Sequence, residues 1–197
     1  VIDWQASPLK KDIVTAAAYD QFGRDSLMFL PYVSNSSDSY YKQTATRLNG
    51  RYPGSEHSRF YSNGPSDGIA DDSSPFARAT FESNPLNRGL KQGSPGSAWQ
   101  PDATNSYNST DRTIKKSYEL ISASEVLQWT YTYPGSSFPF GRVDVKMSGT
   151  PVYSGANTIR RTRTRDEHGN EVIEYVNHAG KPVLKRIQAV AGQVRRF

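Results

Sequence analysis

Apolar and polar residues alternate over short stretches of this chain, a pattern typical of β-strands and not of long helices. Apolar residues at 13–15 and 27–30 flank a polar, turn-like segment at 19–24, which predicts a hairpin. A further strand is predicted at residues 77–82. From residue 113 the alternation becomes more regular, and residues 125–133 are predicted to form a strand.

The last part of the chain has the most regular pattern. After a predicted strand at 142–147, three runs rich in β-branched residues, at 158–164, 171–176 and 183–190, are separated by short segments that contain Asp, Asn and Gly. Each separator is a turn by composition. The sequence therefore predicts a mainly β protein of antiparallel hairpins, with long polar loops and little helix.

Two long stretches show no persistent period. Residues 31–75 and 93–111 are rich in Ser, Asn, Asp and Gly and are predicted to be loops, the first with one short helix near residues 41–48. The pattern divides the chain into a hairpin and loop-rich region, residues 1–112, and a more regular β region, residues 113–197. We expect the two to form one continuous structural unit of a larger protein.

A short motif recurs at the predicted turns. An aromatic residue, Val or Arg is followed by Asp, Glu or Asn, then by Gly or Asn, and then by a polar or basic residue. The acidic or amide side chain can accept hydrogen bonds from turn amides, and Gly takes the positive φ that closes the turn. The predicted turn-forming residues are Tyr19, Asp20, Gly23, Arg24, Asn87, Arg88, Asp166, Gly169, Asn177 and Gly180.

Composition narrows the class of protein. Hydrophobic residues make up 35% of the 197, below the ~45–50% of ordinary globular domains, so a thin core is expected. An aromatic fraction of 12% and a net charge of only +5 argue against disorder. The sequence contains no apolar run long enough to cross a bilayer. The absence of Cys excludes disulfides and thiolate chemistry.

Segments along nearly the whole chain resemble one protein family. Residues 19–24, Tyr-Asp-Gln-Phe-Gly-Arg, are similar to a YD repeat, the unit of RHS and teneurin-type proteins. Asn87 stands where the repeat prefers Gly, and Asn170 stands where it prefers Arg. Further segments together resemble the N-terminal domain of unknown function that precedes the RHS repeat core of bacterial surface proteins. These segments are residues 12–15, 30–32, 83–88, 92–96, 170–175 and 180–186.

This resemblance implies a segment of a large β-structure whose hairpins tile a curved sheet. In the family that sheet closes into a shell around a C-terminal toxin or other effector domain. The resemblance also implies a secreted or cell-surface bacterial protein that is exported by type IX secretion. Its implied partners are the downstream RHS repeats and the C-terminal domain of the same protein, with secretion proteins, surface proteins or glycan as further candidates. The family's self-cleaving aspartate site lies beyond this chain.

The sequence predicts no catalytic, cofactor-binding or metal-binding residues. His57, His168 and His178 lack metal-ligand spacing and are expected to be solvated turn residues. The acidic cluster at residues 67–72 lacks the calcium-loop spacing and its closing Glu. No Ser-His-Asp order, phosphate-binding Gly loop or carboxylate pair is present in a convincing arrangement.

Three arginines are candidates for contacts with a partner. Arg161, Arg163 and Arg165 alternate with Thr and line one face of a predicted strand, where they could bind phosphates or an acidic partner. A solvated strand face, or cross-strand pairing with Glu171 or Glu174, is the favoured interpretation.

Aromatic side chains are the other candidates. Trp129, Tyr131 and Tyr133 fall on one face of a predicted strand, and packing on the sheet is favoured over stacking on sugar rings. Trp99 lies in a polar loop and is the better candidate for an exposed contact.

The leading hypothesis is a structural, non-catalytic segment of an RHS/YD-repeat protein. The alternative is a surface-exposed binding or adhesion module that recognises glycan or protein through the loops at 31–75 and 93–111. An enzyme is a distant third. We expect no nucleic-acid partner and no membrane span.

Overall fold

A computed structural model describes residues 1–64, 68–121, 126–127, 129–132, 142–145, 159–188 and 194–196. The chain divides into two compact units, Val1–Ile114 and Lys115–Phe197. The described structure is mainly β, with antiparallel sheets and little helix, as the alternation of apolar and polar residues predicts.

The first unit contains seven short strands, one α-helix and one turn of 3₁₀-helix among its described residues. The elements are β1 (Ile2–Asp3), β2 (Ile13–Val14), β3 (Ala17–Tyr19), β4 (Asp25–Phe29), β5 (Tyr32–Val33), α1 (Glu56–Phe60), β6 (Phe76–Phe81), β7 (Gly89–Gly93) and the 3₁₀ turn Ser97–Trp99.

Two antiparallel arrangements organise these strands. β1, β2 and β5 form a small sheet in that order, with Ile2 opposite Val14. β3, β4, β6 and β7 pair in sequence order, so that the hairpin β3–β4 lies beside the hairpin β6–β7. Neighbouring hairpins therefore present their turns close together in space.

The second unit contains longer strands. They are β8 (Ile114–Ile121, which begins one residue before the unit), β9 (Trp129–Thr132), β10 (Arg142–Val145), β11 (Ile159–Arg165), β12 (Glu171–Asn177), β13 (Pro182–Gln188) and β14 (Val194–Arg196). β8, β11, β12, β13 and β14 pair antiparallel in that order, and β9 pairs with β10. The side chains of Trp129 and Tyr131, and all of Tyr133 and Asp67, lie outside what the structure describes.

Each unit has a small apolar core. In the first, Val14, Tyr32 and Ala45 form a buried cluster. In the second, Val126, Ile159, Ile173 and Tyr175 do so. Since clusters of this size bury little apolar surface, polar interactions have to fix much of the loop structure.

The helix predicted near residues 41–48 is wrong, because the α-helix lies at Glu56–Phe60. Ser55 caps it by accepting a hydrogen bond from the Ser58 amide at 3.2 Å. The carbonyls of Thr44 and Ala45 accept bonds from the first helical amides, those of Glu56 and His57. Residues 41–48 thus form an irregular segment that satisfies the N-terminus of α1.

Candidate functional site

Several turns that join neighbouring strands share one pattern of side-chain to backbone hydrogen bonds. The turn between β3 and β4 is built around Asp20, whose Oδ1 accepts from the amides of Phe22 at 2.8 Å and Arg24 at 3.0 Å. The Asp20 amide donates to the Arg24 carbonyl, and the Gly23 amide donates to the Asp20 carbonyl. Gly23 has φ of +75°, which is unstrained only for glycine.

The Arg24 guanidinium connects this turn to the next hairpin. Its Nε donates to Asp20 Oδ2 at 2.6 Å, while its two terminal nitrogens donate to the carbonyls of Asn84 at 2.9 Å and Glu82 at 3.1 Å. The guanidinium carbon also lies 4.9 Å and 4.5 Å from the ring centroids of Phe22 and Phe81. We call this group of contacts the Arg24 brace.

Two turns of the second unit repeat the same hydrogen bonds. Asp166 Oδ1 accepts from the amides of His168 at 3.0 Å and Asn170 at 2.8 Å. Asn177 Oδ1 accepts from the amides of Ala179 and Lys181, both at 3.0 Å.

The glycines of these turns occupy equivalent positions. Gly169 and Gly180 have φ of +87° and +78° and donate to the carbonyls of Asp166 and Asn177. The three turns therefore share one geometry, in which an Asp or Asn side chain replaces two missing backbone acceptors.

The turn between β6 and β7 is a longer version. The Glu82 amide donates to the Arg88 carbonyl across the turn, and Arg88 Nε lies 3.1 Å from Glu82 Oε2. Asn87 has φ of +56° and takes the position of glycine. Asn tolerates this left-handed conformation better than most residues, which explains how the turn closes without glycine.

Hydrogen bonding sets the charge state of the turn carboxylates. Burial alone would raise the pKa of Asp20, but bonds from the Arg24 amide and guanidinium outweigh it and lower the pKa below its usual value. Burial would likewise raise the pKa of Asp166, but bonds from the Asn170 side chain and amide outweigh that effect and lower the pKa. Both groups are held as acceptors and not as proton donors.

A buried ammonium organises the loop that follows β7. Lys91 is buried, and the three N–H groups of its Nζ are shared among four acceptors. These are Asp102 Oδ1 at 2.6 Å, the Thr104 carbonyl at 2.6 Å, Ser109 Oγ at 2.8 Å and Asp111 Oδ2 at 2.7 Å. The loop predicted at 93–111 is thus wrapped around a cation supplied by the sheet.

A second ammonium organises the loop that follows β5. Lys42 Nζ donates to Asp12 Oδ2 at 3.1 Å, to Ser36 Oγ at 2.6 Å and to Asp38 Oδ1. Burial would lower the pKa of Lys42, but Asp38 and Asp12 outweigh that effect and raise it. Sequence analysis did not identify either lysine, because their partners lie up to 30 residues away.

His57 is fully buried, so the expectation of a solvated turn residue is wrong for this histidine. Its Nε2 lies 2.9 Å from the Leu30 carbonyl, which can only accept, so Nε2 carries the hydrogen and neutral Nδ1 accepts from the Tyr52 hydroxyl at 3.0 Å. Burial lowers the pKa of His57. Burial also raises the pKa of Tyr52 to about 12. His168 and His178 are exposed in their turns.

The predicted contact residues have intramolecular partners. Trp99 is half-buried, and Arg112 lies over its ring at 5.8 Å from the centroid. Arg161 pairs with Glu119, and Arg163 and Arg165 pair with Glu171 at 2.9 Å and 3.5 Å. The arginine stripe therefore has carboxylates along its neighbouring strands. Glu174 pairs with Lys185.

No cluster of three or more His, Asp or Glu side chains suited to a metal ion occurs within the described residues. Within that same part of the chain, no helix has the length and hydropathy to cross a membrane. The polar features that recur in the described part of the chain are turn-forming carboxylates, buried ammonium groups and the Arg24 brace.

These features define a mainly β protein built of antiparallel hairpins with side-chain-locked turns. Residues 1–114 match the family described as Domain of unknown function (DUF6443), and since the match covers more than half of the chain, the protein belongs to that family. The matched residues coincide with the first compact unit, Val1–Ile114. No curated protein and no solved structure matches the chain.

Proposed function

We propose that the chain is a structural, non-catalytic segment of an RHS/YD-repeat protein. Its hairpins contribute to a curved β-sheet or shell that encloses or presents a C-terminal toxin or effector domain. Its partners are the downstream repeats and C-terminal domain of the same protein, and the whole protein is secreted or carried on a bacterial surface by type IX secretion.

The observation that carries this proposal is the Arg24 brace. A guanidinium that is bound to its own turn also donates to the carbonyls of Glu82 and Asn84 in the next turn. Such a contact joins one turn to the next, in addition to the backbone pairing of β4 with β6, and a tiled sheet requires links of this kind between consecutive hairpins. Its repetition along a series of hairpins would extend the sheet in a regular way.

The use of the acidic residues supports a structural role. Asp12, Asp20 and Asp111 bind turn amides or buried cations, and Asp12 and Asp20 have lowered pKa values despite the opposing effect of burial. Carboxylates with such partners serve as hydrogen-bond acceptors that hold turns and buried lysine side chains in place.

The proposal is tested by recovering the native protein from culture supernatant and from the cell surface and measuring its intact mass. A polypeptide much larger than 21.9 kDa, carrying a cleaved and retained C-terminal piece, is expected. Peptide mapping of any co-purifying fragment identifies that piece. A free species of the mass of this chain would contradict the shell proposal.

Two exposed aromatic residues favour a second candidate, a surface-binding module. Tyr40 and Tyr41 are 75% and 83% exposed in the loop that follows β5. Exposed tyrosines are common in surfaces that recognise glycan or protein. A glycan array probed with the 197-residue chain and with a Tyr40→Ala variant tests this candidate. Binding that requires Tyr40 supports this candidate, and the absence of binding to every glycan on the array counts against it.

A further inference from the structure

Asn49 and Gly50 form the tip of a two-residue hairpin in the loop before α1. Both have positive φ, +52° and +77°, as the central residues of a type I′ turn do. The Leu48 amide donates to the Arg51 carbonyl at 2.8 Å, and the Arg51 amide donates to the Leu48 carbonyl at 3.0 Å. Leu48 and Arg51 pair as an isolated bridge, outside the strands described above, so this turn opens at small cost.

Two groups at the tip of this turn, the Asn49 carboxamide and the Gly50 amide, have no hydrogen-bond partner among the described residues. Asn49 is exposed to solvent. Apart from its chain neighbours, nothing lies within 4 Å of the site of a Cβ on Gly50, so no other residue hinders an approach to its nitrogen. A bond from that nitrogen to the carboxamide carbon of Asn49 would close an unstrained five-membered ring.

A second Asn-Gly pair differs at the nitrogen that would react. Asn63 is also exposed, and Gly64 likewise has positive φ, +91°, with open space around the site of a Cβ. The Gly64 amide, however, donates to Asp71 Oδ1 at 3.1 Å. A carboxylate that accepts this hydrogen favours the neutral amide and opposes loss of its proton. The chain therefore contains one Asn-Gly pair that is open to ring closure and one that is held.

We propose that Asn49 is a site of spontaneous deamidation, with water as the co-reactant, and that Asp71 protects Asn63 from the same reaction. The Gly50 nitrogen bonds to Cγ of Asn49, the bond from Cγ to the side-chain NH₂ breaks, and ammonia leaves. The proton that the Gly50 nitrogen loses passes through water to the leaving NH₂. Water then opens the succinimide at either carbonyl, which gives an aspartyl or an isoaspartyl residue at position 49. Neither step needs an oxidant or a reductant.

The conversion alters the segment that leads to α1. An isoaspartyl residue adds one carbon to the main chain, so the two hydrogen bonds between Leu48 and Arg51 no longer fit the turn. The same segment carries Thr44 and Ala45, whose carbonyls accept from the first amides of α1. Both products also place a negative charge at the tip of the turn. Because the reaction is irreversible, the loosened form accumulates with the age of the protein.

The proposal is tested by incubating the 197-residue chain in neutral buffer at physiological temperature and following both sites by peptide mapping with mass spectrometry. We expect Asn49 to convert about tenfold faster than Asn63, the effect of one hydrogen bond to an exposed charged group. Incubation in urea is the control. The two pairs have the same reacting atoms, so they should convert at similar rates once the fold is lost.

Two substitutions separate the effect of the structure from that of the sequence. Asp71→Ala removes the acceptor of the Gly64 amide at an exposed position, so the fold should persist and Asn63 should convert about tenfold faster. Asn49→Gln should abolish the conversion at position 49, because the longer side chain would have to close a less favoured six-membered ring. Equal rates at Asn49 and Asn63 in the folded chain, an unconverted Asn49, or an Asn63 rate that Asp71→Ala leaves unchanged would each overturn the proposal.

Discussion

Arg24 links the turns of the first two hairpins, whose strands β4 and β6 also pair through the backbone. Its side chain is only 10% exposed and joins Asp20 to two carbonyls of the following turn. We expect Arg24→Met to lower the free energy of unfolding by about 2–4 kcal/mol, because it leaves a shielded carboxylate without its partner. Urea unfolding followed by tyrosine fluorescence measures this loss.

Arg59 provides the control for that experiment. It is exposed on α1, and an Arg59→Met change should alter the free energy of unfolding by less than about 0.5 kcal/mol. Similar losses in the two variants would show that Arg24 does not act through its contacts.

Substitutions at the two left-handed turn positions, Gly23 and Asn87, should change stability in opposite ways. Gly23 has φ of +75° and open space around the site of a Cβ, so Gly23→Ala should cost about 1 kcal/mol through backbone strain alone. Asn87 has φ of +56°, so Asn87→Gly should be neutral or stabilising by up to about 0.5 kcal/mol. Thermal unfolding of both variants checks this, and destabilisation by Asn87→Gly would contradict the equivalence of the two positions.

His57 makes the stability of the first unit depend on pH. Burial lowers its pKa below the value of 6.5 that applies in the unfolded chain. The unfolded state therefore binds more protons below that pH, so stability should fall as the pH decreases from about 6.5 towards 5. A His57→Gln variant should be less stable at pH 7.5 but show a flatter dependence over this range. Urea midpoints at a series of pH values measure both.

At the scale of elements, the strands and turns depend on local sequence and were predictable for that reason. Asp20 and Gly23 determine their turn through contacts within four residues. The position of α1 was not predictable in this way, because the carbonyls that receive its first amides come from Thr44 and Ala45. Burial of His57 depends likewise on distant aromatic residues and on the Leu30 carbonyl.

The Lys91 loop is the clearest long-range feature of an element. Removal of the ammonium by Lys91→Met would leave the Asp111 carboxylate, whose side chain is 8% exposed, without its buried cation. We expect a loss of about 3–5 kcal/mol and faster proteolytic cleavage within residues 101–111. Lys116→Met, at an exposed position of β8, is the control and should change neither. An intact loop in Lys91→Met would mean that other contacts hold it.

At the scale of the molecule, a modest apolar core is supplemented by polar anchors. The first unit buries Val14 and Tyr32 in a small cluster, while Lys42 and Lys91 hold the long loops that the sequence pattern left without structure. This arrangement explains how a chain with 35% hydrophobic residues forms ordered loops. It also means that the order of the loops depends on a few charged groups.

The family match and the first compact unit cover the same residues, which predicts that this unit folds independently. Residues 1–114 contain their own core, the Arg24 brace and both lysine-centred loops. We therefore expect the fragment 1–114 to fold alone, with dispersed NMR amide signals and a cooperative urea transition. Val14→Asp, which puts a charge in the core, provides the unfolded reference. If the spectrum of the fragment matches that reference, the unit needs residues beyond 114 to fold, and the polar anchors are insufficient by themselves.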